Sequence, residues 1–293
     1  SGMGSNVSIG ANVQFNNEAD PPNITITPKT NLTVGQRYAI SYPPGAFIKN
    51  TGAGSSYVGT GYTFTARNYS YQLWTWGDNE FGNLGLNAPE NSKRSSPTQI
   101  PGLTWGNAVG SGKEAKHSAA VKTDGTLWAW GRNNYGQLGQ NSEVDYSSPT
   151  QVPGTTWAGP TAVDLEGMTY ATKTDGTLWA WGRNNNGQLG QNSTTTYSSP
   201  VQVGSDTTWP TDIGTSDGVV KLSTGDKNLY AIKTDNTLWA WGNNYAGVLG
   251  VNNQTKYSSP VQVPGSWKST GTTSAYTKFM VKTDGTAYFW GTS

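Results

Sequence analysis

The stretch that decides the fold is TLWAWGRNNYGQLGQ, at residues 126–140. It recurs at 177–191 with one substitution, at 237–251 as TLWAWGNNYAGVLGV, and at 72–86 as QLWTWGDNEFGNLGL. A shortened copy, TAYFWG, occupies residues 286–291. Self-similarity at a spacing of roughly 50 residues is typical of propellers and solenoids.

The segments that flank each copy predict turns and strands. KTDGT or KTDNT stands before it, at 122–126, 173–177, 233–237 and 282–286. Asp-Gly between two alternating runs predicts a type I′ hairpin, in which both central residues have positive φ. The strands expected before the hairpins are 117–121, 168–172, 228–232 and 277–281. SSPTQ or SSPVQ follows, at 95–99, 147–151, 198–202 and 258–262, and its proline restricts it to a strand start or a sheet edge.

Tryptophans complete the predicted repeat. A further strand is expected to open at Trp105, Trp157, Trp209 and Trp267. The two tryptophans of each LWAW segment are two residues apart, so on a strand they share one face and can wedge between blades. Four short strands per repeat predict the blade of a β-propeller. The predicted fold is therefore all-β, a propeller of five blades of about four antiparallel strands, closed by an N-terminal strand.

The segments WGRNNYGQLG and WGRNNNGQLG resemble the repeat of the regulator of chromosome condensation family, β-propeller proteins with a Trp-Gly strand end followed by Asn-x-x-Gly-Gln-Leu-Gly. The resemblance covers roughly residues 46–291. More narrowly, the Trp-, Asn- and Ser-rich form is similar to repeats in tail or fibre proteins of marine bacteriophages and in surface proteins of aquatic bacteria. Some members of the family insert a protruding β-wedge into a small GTPase; the longest inter-repeat segment here, 210–227, has no match to that wedge.

Composition narrows the classes of function. The 38 Gly and 15 Pro fit many strands joined by tight turns. A net charge of +1 without a Lys/Arg cluster argues against nucleic acid or an anionic membrane as partner. No apolar run approaches the roughly 20 residues of a membrane span, so membrane insertion is not expected. The absence of Cys excludes disulfides and thiol chemistry and leaves the compartment open.

Three segments are expected along the chain. They are residues 1–5 (SGMGS, interpreted as a cloning remnant), an N-terminal β segment at 6–43, and the five-repeat propeller at 44–293. Within the second segment, 23–28 and 36–43 alternate like strands. A degenerate first blade is expected to contain strands at 46–49 and 62–66. An alternative interpretation places this region in the C-terminal half of a bacterial immunoglobulin-like domain.

The last repeat stops at Ser293, where the earlier copies continue into SSPxQ. An open blade edge invites aggregation. We therefore expect an N-terminal strand, NITIT (23–27) or YAISY (38–42), to pair there and close the ring. The alternative is that a neighbouring subunit fills the gap.

No catalytic residue, metal site or cofactor is predicted. His117 is the sole histidine, and Met168, Asn228 and Thr277 take its place in other repeats, so we interpret it as a packing residue at a strand start. The hairpin aspartates are interpreted as turn formers. The sequence contains no phosphate loop and no metal-ligand spacing. A non-enzyme is expected; a glycan depolymerase would need paired carboxylates in a common groove.

The turns after Trp-Gly are the best binding candidates, because their framework is constant while their tips change. The candidate ligand-binding residues are Phe81, Arg132, Tyr135, Arg183, Asn186 and Tyr245. A rim of such side chains would bind weakly and repeatedly, with strength from multivalency. The alternative is that these are solvated turns in which Asn supports positive φ.

The predicted function is non-enzymatic binding by a phage tail-fibre, virion-surface or bacterial surface module. Its location would be the virion surface or extracellular, and its partner a host cell-surface glycan or protein receptor. Two alternatives are a structural virion component that contacts other virion proteins and a protein-interaction scaffold or exchange factor.

Overall fold

The computed structural model describes residues 11–16, 23–28, 37–40, 62–65, 72–102, 104–110, 116–163, 167–211, 221–225, 227–270 and 277–291. The chain divides into two compact units, Ser1–Tyr69 and Ser70–Ser293. Four strands belong to the first unit: β1 (Ala11–Asn16), β2 (Asn23–Pro28), β3 (Arg37–Ile40) and β4 (Tyr62–Thr65). β1 pairs with β2, and β3 pairs with β4, both antiparallel.

These strands match three of the sequence predictions for the first unit. β2 coincides with the strand predicted at 23–28, β3 lies within 36–43, and β4 lies within 62–66. β4 pairs with β3 and not with β5, so it belongs to the first unit and not to the degenerate first blade in which the sequence placed it. The strand predicted at 46–49 lies outside the described residues. The segment boundaries at 5 and 43 and the closing role of an N-terminal strand stay predictions.

The described residues of the second unit form five antiparallel sheets in chain order, which we call blades 1 to 5. Blade 1 is β5 (Trp74–Gly77) and β6 (Arg94–Gln99). Blade 2 is β7 (Trp105–Gly110), β8 (His117–Lys122), β9 (Leu127–Gly131) and β10 (Tyr146–Gln151). Blade 3 is β11 (Trp157–Val163), β12 (Met168–Lys173), β13 (Leu178–Gly182) and β14 (Tyr197–Gln202). Blade 4 is β15 (Leu222–Gly225), β16 (Asn228–Ile232), β17 (Leu238–Gly242) and β18 (Tyr257–Val263). Blade 5 is β19 (Trp267–Ser269), β20 (Thr277–Lys282) and β21 (Ala287–Gly291).

Blades 2 to 4 are four-stranded meanders whose strand order follows the chain. Their first strands lie side by side, since β11 contacts both β7 and β15. Sheets of this kind, packed through successive inner strands, are propeller blades. The prediction of an all-β propeller is confirmed, and the five sheets of the second unit agree with the five predicted blades.

Tryptophans join the blades, as predicted. Trp130 is buried, and its indole N–H donates to the Asn83 carbonyl of the preceding blade at 3.0 Å. A Cβ at Gly85 would lie 2.7 Å from the same indole nitrogen, so only glycine allows this approach. Trp181 repeats the contact with the Gln137 carbonyl at 2.8 Å. Trp290 of blade 5 makes the same kind of bond, to the Val248 carbonyl at 2.6 Å. The buried indole of Trp241 in blade 4 makes contact by packing alone, and Trp74 and Trp76 of blade 1 are exposed, contrary to the prediction that they wedge between blades.

The hairpins between the second and third strands differ from the prediction. Gly125 has a φ of 79°, but neither Thr123 nor Asp124 has a positive φ. The Gly125 N–H donates to the Lys122 carbonyl at 3.0 Å. This is a type I turn closed by a glycine bulge, so the prediction of a type I′ turn was wrong. The reason is local: Asp124 accepts bonds from the hydroxyl and amide of Thr126, which fixes the turn.

Blade 4 departs from the repeat at its first strand. No strand begins at Trp209, contrary to the prediction; the inner strand is β15, which pairs with β16. The longest inter-repeat segment therefore supplies a core strand of the blade. Trp209 still packs against Trp241, with ring centroids 5.9 Å apart. In blades 2, 3 and 5 the first strand begins at the equivalent tryptophan, whereas in blade 4 the extra residues lie between Trp209 and β15.

A cationic groove between blades 2 and 3

One buried asparagine holds the turn that follows each Trp-Gly. Asn133 is buried, and its Oδ1 accepts a hydrogen bond from the Leu138 amide at 2.8 Å. Its Nδ2 donates to the carbonyls of Ser142 and Val144, both at 2.9 Å. The equivalent bonds recur at Asn184 and Asn244.

These bonds explain why the motif needs asparagine. The φ of Asn133 is not positive. Asparagines with positive φ stand further along these turns, at Asn87, Asn91, Asn141, Asn192 and Asn252, and in the hairpin of blade 4, at Asn236. The base of each turn is thus held by the side chain of a buried asparagine, and not by a positive φ at that position. Each tip stands on a rigid base, so its side chains are held in fixed places.

Strand register brings the start of the second strand next to this turn. His117 lies opposite Gly131 across the β8–β9 hairpin. The Arg132 amide donates to the Lys116 carbonyl at 2.8 Å. Blade 3 repeats this geometry, with the Arg183 amide bonded to the Gly167 carbonyl at 2.9 Å.

A groove of about 200 Å³ opens where the two turns meet. It is lined by Lys116, His117, Arg132, Asn134, Tyr135, Gln137, Gly167 and Arg183. Three of these side chains are cationic and none is acidic. Glu80, on the neighbouring turn, lies 3.5 Å from the Lys116 ammonium, and both side chains are about half exposed.

The aromatic tip of one blade lies under a cation of the next. The Arg183 guanidinium is 4.9 Å from the centroid of the Tyr135 ring. At the preceding junction, Arg132 lies 4.8 Å and Lys116 4.7 Å from the centroid of Phe81. Such contacts are worth about 0.5–1 kcal/mol at exposed sites and fix the plane of the guanidinium.

Gly167 makes room for the Tyr135 ring. A Cβ at this position would lie 2.7 Å from Tyr135 Cδ2, and its φ is 85°. A larger residue would therefore push the ring out of its place beside Arg183. The glycine shapes the groove without contributing a polar side chain.

His117 lies at the base of the groove in its neutral form. Burial lowers the pKa of His117 to about 3. Its Nε2 lies 2.8 Å from the Thr169 hydroxyl, which itself donates to the Gln137 carbonyl at 2.8 Å. The interpretation of His117 as a packing residue agrees with this position, and the bond ties blade 2 to blade 3.

The structure brings three of the six candidate residues together. Arg132, Tyr135 and Arg183 line the groove, while Phe81 occupies the equivalent place at the junction before it. Asn186 accepts a bond from the Lys256 ammonium at 3.0 Å, one junction further on. Tyr245 is 68% exposed in the turn of blade 4.

Tyr245 lies one position earlier in its turn than Phe81, Tyr135 and Asn186 lie in theirs. Ala246, with a φ of 63°, takes the place in its turn that Tyr135 has in blade 2. The sequence comparison also missed Lys116, Gln137 and Gly167. The sequence could have located Lys116. In an antiparallel hairpin the start of the first strand lies beside the end of the second, so the residue before HSAAV is expected next to the turn that follows Trp-Gly.

Within the part of the chain that the structure describes, no three His, Asp or Glu side chains gather as metal ligands. Over the same residues, no helix has the length and apolar character to cross a membrane.

Comparison with known families identifies the repeat. The model of the Regulator of chromosome condensation (RCC1) repeat matches residues 72–121, 124–158, 175–232 and 235–271. The chain belongs to the RCC1 repeat family. A second model of the same repeat matches residues 219–248, around the first strands of blade 4.

Among curated relatives, the Ultraviolet-B receptor UVR8 of Arabidopsis thaliana is 30% identical over 193 residues, which is 66% of this chain and 42% of the receptor. The E3 ubiquitin-protein ligase HERC2 of Homo sapiens is 28% identical over 199 residues, which is 66% of this chain and 4% of the ligase. The chain therefore spans less than half the length of either relative.

Two solved structures share the fold. Prp20p from Saccharomyces cerevisiae matches with a TM-score of 0.57 and 22% identity, over 78% of this chain and 55% of that one. Human WBSCR16 matches with a TM-score of 0.53 and 19% identity, over 74% and 56%. At these identities the likeness concerns the fold and not the ligands.

Proposed function

We propose that this RCC1-type propeller is a non-enzymatic binding module and that the groove between blades 2 and 3 receives an anionic group. The observation that carries the proposal is the meeting of Lys116, Arg132 and Arg183 in one groove beside the ring of Tyr135. Charged groups of one sign that line a concave site raise the local concentration of oppositely charged ligands.

The chemistry of the groove suits a carboxylate or sulfate attached to a sugar. A guanidinium offers paired N–H donors that match the two oxygens of such a group. The ring of Tyr135 offers a flat apolar face beside them. A volume of about 200 Å³ is small for a drug-sized ligand and suits one sugar residue or one side chain.

We further propose that the ligand belongs to a host cell surface and that the protein is part of a phage tail fibre, a virion surface or a bacterial surface. This rests on the resemblance of the Trp-, Asn- and Ser-rich repeats to such proteins. A single shallow groove binds weakly, and an array of copies on a fibre would supply the strength by multivalency.

Docking of a protein partner is the second candidate. It is favoured by family membership, since the yeast relative Prp20 is described with Kap60, Gsp1p and histones as partners. An acidic side chain of a partner would fit the same cations. Nucleotide exchange on a small GTPase is disfavoured, because β15, the described strand of the long inter-repeat segment, lies in the sheet of blade 4.

The test is an array of bacterial surface glycans in which acidic sugars and neutral counterparts are paired. We expect saturable binding to acidic glycans that weakens as salt rises, because charge provides the attraction. Arg183→Gln and Tyr135→Ala are each expected to weaken binding at least tenfold. Lys268→Ala is the charge-matched control, since Lys268 is an exposed cation of blade 5 outside the groove.

Equal binding of neutral and acidic glycans would contradict the anionic ligand. A complete lack of binding at high protein concentration would contradict the glycan reading altogether and favour a protein partner or a structural role. Loss of binding in Lys268→Ala as well as in Arg183→Gln would mean that net charge, and not the groove, governs the interaction.

A further inference from the structure

A lysine at the end of the second strand of blade 3 lies between two indole rings. The Lys173 ammonium is 4.1 Å from the ring centroid of Trp179 and 4.9 Å from that of Trp157. The two rings meet edge to face, with centroids 6.1 Å apart. Both contacts are within the range of cation–π attraction, so the rings fix the position of the ammonium. We call these three residues the lysine clamp of blade 3.

Blade 2 has the same arrangement. The Lys122 ammonium is 3.7 Å from the ring centroid of Trp128 and 4.9 Å from that of Trp105. These three residues form the lysine clamp of blade 2. Blades 2 and 3 are neighbours, since β7 contacts β11, so the two clamps lie at the hairpin ends of adjacent sheets.

The clamp of blade 3 lies at the end of its sheet opposite to the cationic groove. β12 begins at Met168, which pairs with Gly182, and ends at Lys173. The groove residues Gly167 and Arg183 adjoin the first of these positions. A ligand of the clamp is therefore separate from a ligand of the groove.

The hairpin of blade 3 orients the outer ring of the clamp. The indole N–H of Trp179 donates to the Thr177 hydroxyl at 2.9 Å, and that hydroxyl donates to the Asp175 carboxylate at 2.7 Å. The Thr177 amide donates to the same carboxylate at 3.0 Å. Asp175 is thus engaged by Thr177 and forms no ion pair with Lys173.

Blade 4 shows which ligand such a clamp takes. The Lys233 ammonium is 4.2 Å from the ring centroid of Trp239 and 4.8 Å from that of Trp209. Here the chain itself supplies a carboxylate: Asp206 Oδ2 lies 2.6 Å from Lys233 Nζ. Lys233 is 7% exposed, whereas Lys173 is half-buried. An ammonium held between two indoles therefore pairs with a carboxylate on its remaining side.

A longer turn brings the carboxylate to Lys233. The turn before the tryptophan reads GSDTT (204–208) in blade 4 and PGTT (153–156) in blade 3. Counted back from the tryptophan, Gly154 stands in the place of Asp206. A Cβ at Gly154 would lie 3.9 Å from the Lys173 ammonium, so this turn passes beside the clamp without a side chain.

The clamps of blades 2 and 3 have the place for a carboxylate and lack the residue that fills it in blade 4. Within the part of the chain that the structure describes, no carboxylate is ion-paired with Lys122 or Lys173. Both lysines and their outer indoles, Trp128 and Trp179, remain partly exposed. A ligand from outside the chain can therefore reach both clamps.

We infer that the lysine clamps of blades 2 and 3 bind aspartate or glutamate side chains of an acidic partner polypeptide, in the place that Asp206 takes on Lys233. A polypeptide is the fitting source, because the carboxylate that the fold already uses is an aspartate on a loop of small polar residues. A single ion pair near the surface contributes little, so two clamps in adjacent blades supply affinity for a segment with several carboxylates.

The test uses a fluorescent peptide of three copies of Gly-Ser-Asp-Thr, the sequence of residues 204–207, and the full chain. The chain carries Arg183→Gln, so that the groove contributes less to the binding of an acidic peptide. Fluorescence anisotropy is expected to show saturable binding that weakens as salt rises. A matched peptide with asparagine in place of each aspartate is expected to bind at least tenfold more weakly.

Substitutions of the two lysines locate the peptide. We expect Lys173→Gln to weaken binding about fivefold and the double variant Lys122→Gln, Lys173→Gln to weaken it at least tenfold. Lys256→Gln is the charge-matched control, since Lys256 is an exposed lysine in the turn of blade 4 and belongs to neither clamp. It should leave peptide binding unchanged.

An exchange of turns tests the clamp without removing its lysine. In this variant PGTTW (153–157) is replaced by GSDTTW, the sequence of residues 204–209, so that blade 3 carries its own carboxylate. The whole turn is exchanged because Gly154 has a φ of 100°, which strains an aspartate placed there alone. We expect the same loss of peptide binding as in Lys173→Gln. The control turn GSNTTW has the same length without the carboxylate and should retain binding, with both variants folded by circular dichroism.

Four results would overturn the inference. The first is no saturable binding of the aspartate peptide at millimolar concentration. The second is unchanged binding in the double lysine variant. The third is equal loss of binding with the GSDTTW and GSNTTW turns. The fourth is displacement of the peptide by a uronic-acid oligosaccharide at a comparable concentration, which would mean that the clamps do not select a polypeptide.

Discussion

The junction between blades 2 and 3 and the junction between blades 3 and 4 have the same framework and different side chains at the rim. Buried amides of Asn133 and Asn184 hold the two turns with equivalent bonds. Gly136 and Gly187 pack on a serine of the next blade in the same way. The backbone of the rim is therefore a constant of the repeat.

The side chains on that backbone are not constant. The rim positions His117, Tyr135, Gly167 and Arg183 of the first junction correspond to Met168, Asn186, Lys227 and Asn243 of the second. The aromatic ring, one guanidinium and the ammonium of Lys116, whose equivalent is Gly167, are thus absent at the second junction. A lysine with a φ of 61° stands where glycine made room for the ring. The comparison teaches that the framework positions the tips, while single substitutions decide which side chains a junction presents.

The largest expected effect comes from the shared framework. Asn133→Ala and Asn184→Ala each remove three hydrogen bonds and leave a buried leucine amide without a partner, which costs about 1–3 kcal/mol for that group alone. We expect both to lower the free energy of unfolding by about 3 kcal/mol in urea denaturation. Asn185→Ala, at an exposed neighbour, should change it by less than about 0.5 kcal/mol. Clearly unequal losses would refute a common framework.

The second effect is a pH dependence confined to the first junction. The folded pKa of His117, about 3, lies below its unfolded value near 6.5, so its contribution to stability is complete above pH 6.5 and is lost as the pH falls toward 3. We expect the free energy of unfolding to fall by up to about 1.4 kcal/mol per pH unit over that range. His117→Met, which copies Met168, should flatten the dependence between pH 6 and about 4.5, above the ordinary range of the carboxylates.

The chain offers a clean background for that measurement, because His117 is its sole histidine. Urea denaturation of both proteins at several pH values gives the two slopes directly. Identical slopes for the native protein and His117→Met would rule out the buried neutral histidine as their cause.

A third and smaller effect concerns the space under Tyr135. Gly167→Ala places a Cβ 2.7 Å from the ring at a φ of 85° and should lower stability by about 1–2 kcal/mol. Gly204→Ala carries the positive φ without the contact, so the difference between their melting temperatures isolates the contact. If the two variants melt alike, the ring is not confined by Gly167.

The smallest expected change is a gain of binding at the second junction. Asn186→Tyr, Asn243→Arg and Lys227→Gly together copy the aromatic ring, the second guanidinium and the glycine of the first junction onto the framework of blades 3 and 4; the equivalent of Lys116 stays Gly167. Calorimetric titration with a uronic-acid oligosaccharide should then show about two sites per chain in place of one, if the groove acts through these side chains. An unchanged stoichiometry, in a variant that melts like the native protein, would show that the framework alone does not position a working groove.

Much of the fold was predictable because the repeat makes the pattern explicit. The strands at HSAAV, LWAWG and SSPTQ were placed correctly, since alternation and repetition reinforce each other. The predicted hairpin type was wrong. The hydrogen bonds from Thr126 to Asp124 favour a type I turn, and the preference of the Asp-Gly dipeptide alone does not reveal them. The prediction for blade 4 was also wrong in one detail. Its first strand is β15 and does not start at Trp209, and no local sequence signal shows this.

The site was predictable only in part. Variation at the rim drew attention to Arg132, Tyr135 and Arg183, and these three lie in one groove. The same variation drew attention to Tyr245, which lies in the turn of a different blade. Similar residues in equivalent turns thus need not share a site, because neighbouring blades present their tips to different partners.

By itself, the sequence determined the repeat, the strand order and the family, since each of these depends on local pattern: alternation, glycine and tryptophan spacing, and the Asn-x-x-Gly motif. Only the tertiary structure decided which side chains meet. Lys116 and Arg183 are far apart in the chain and lie in different blades, yet they line one groove. The physical reason is that the groove forms between two blades. Its lining depends on the strand register within each sheet and on the packing between the sheets, and the sequence of a single repeat does not determine that packing.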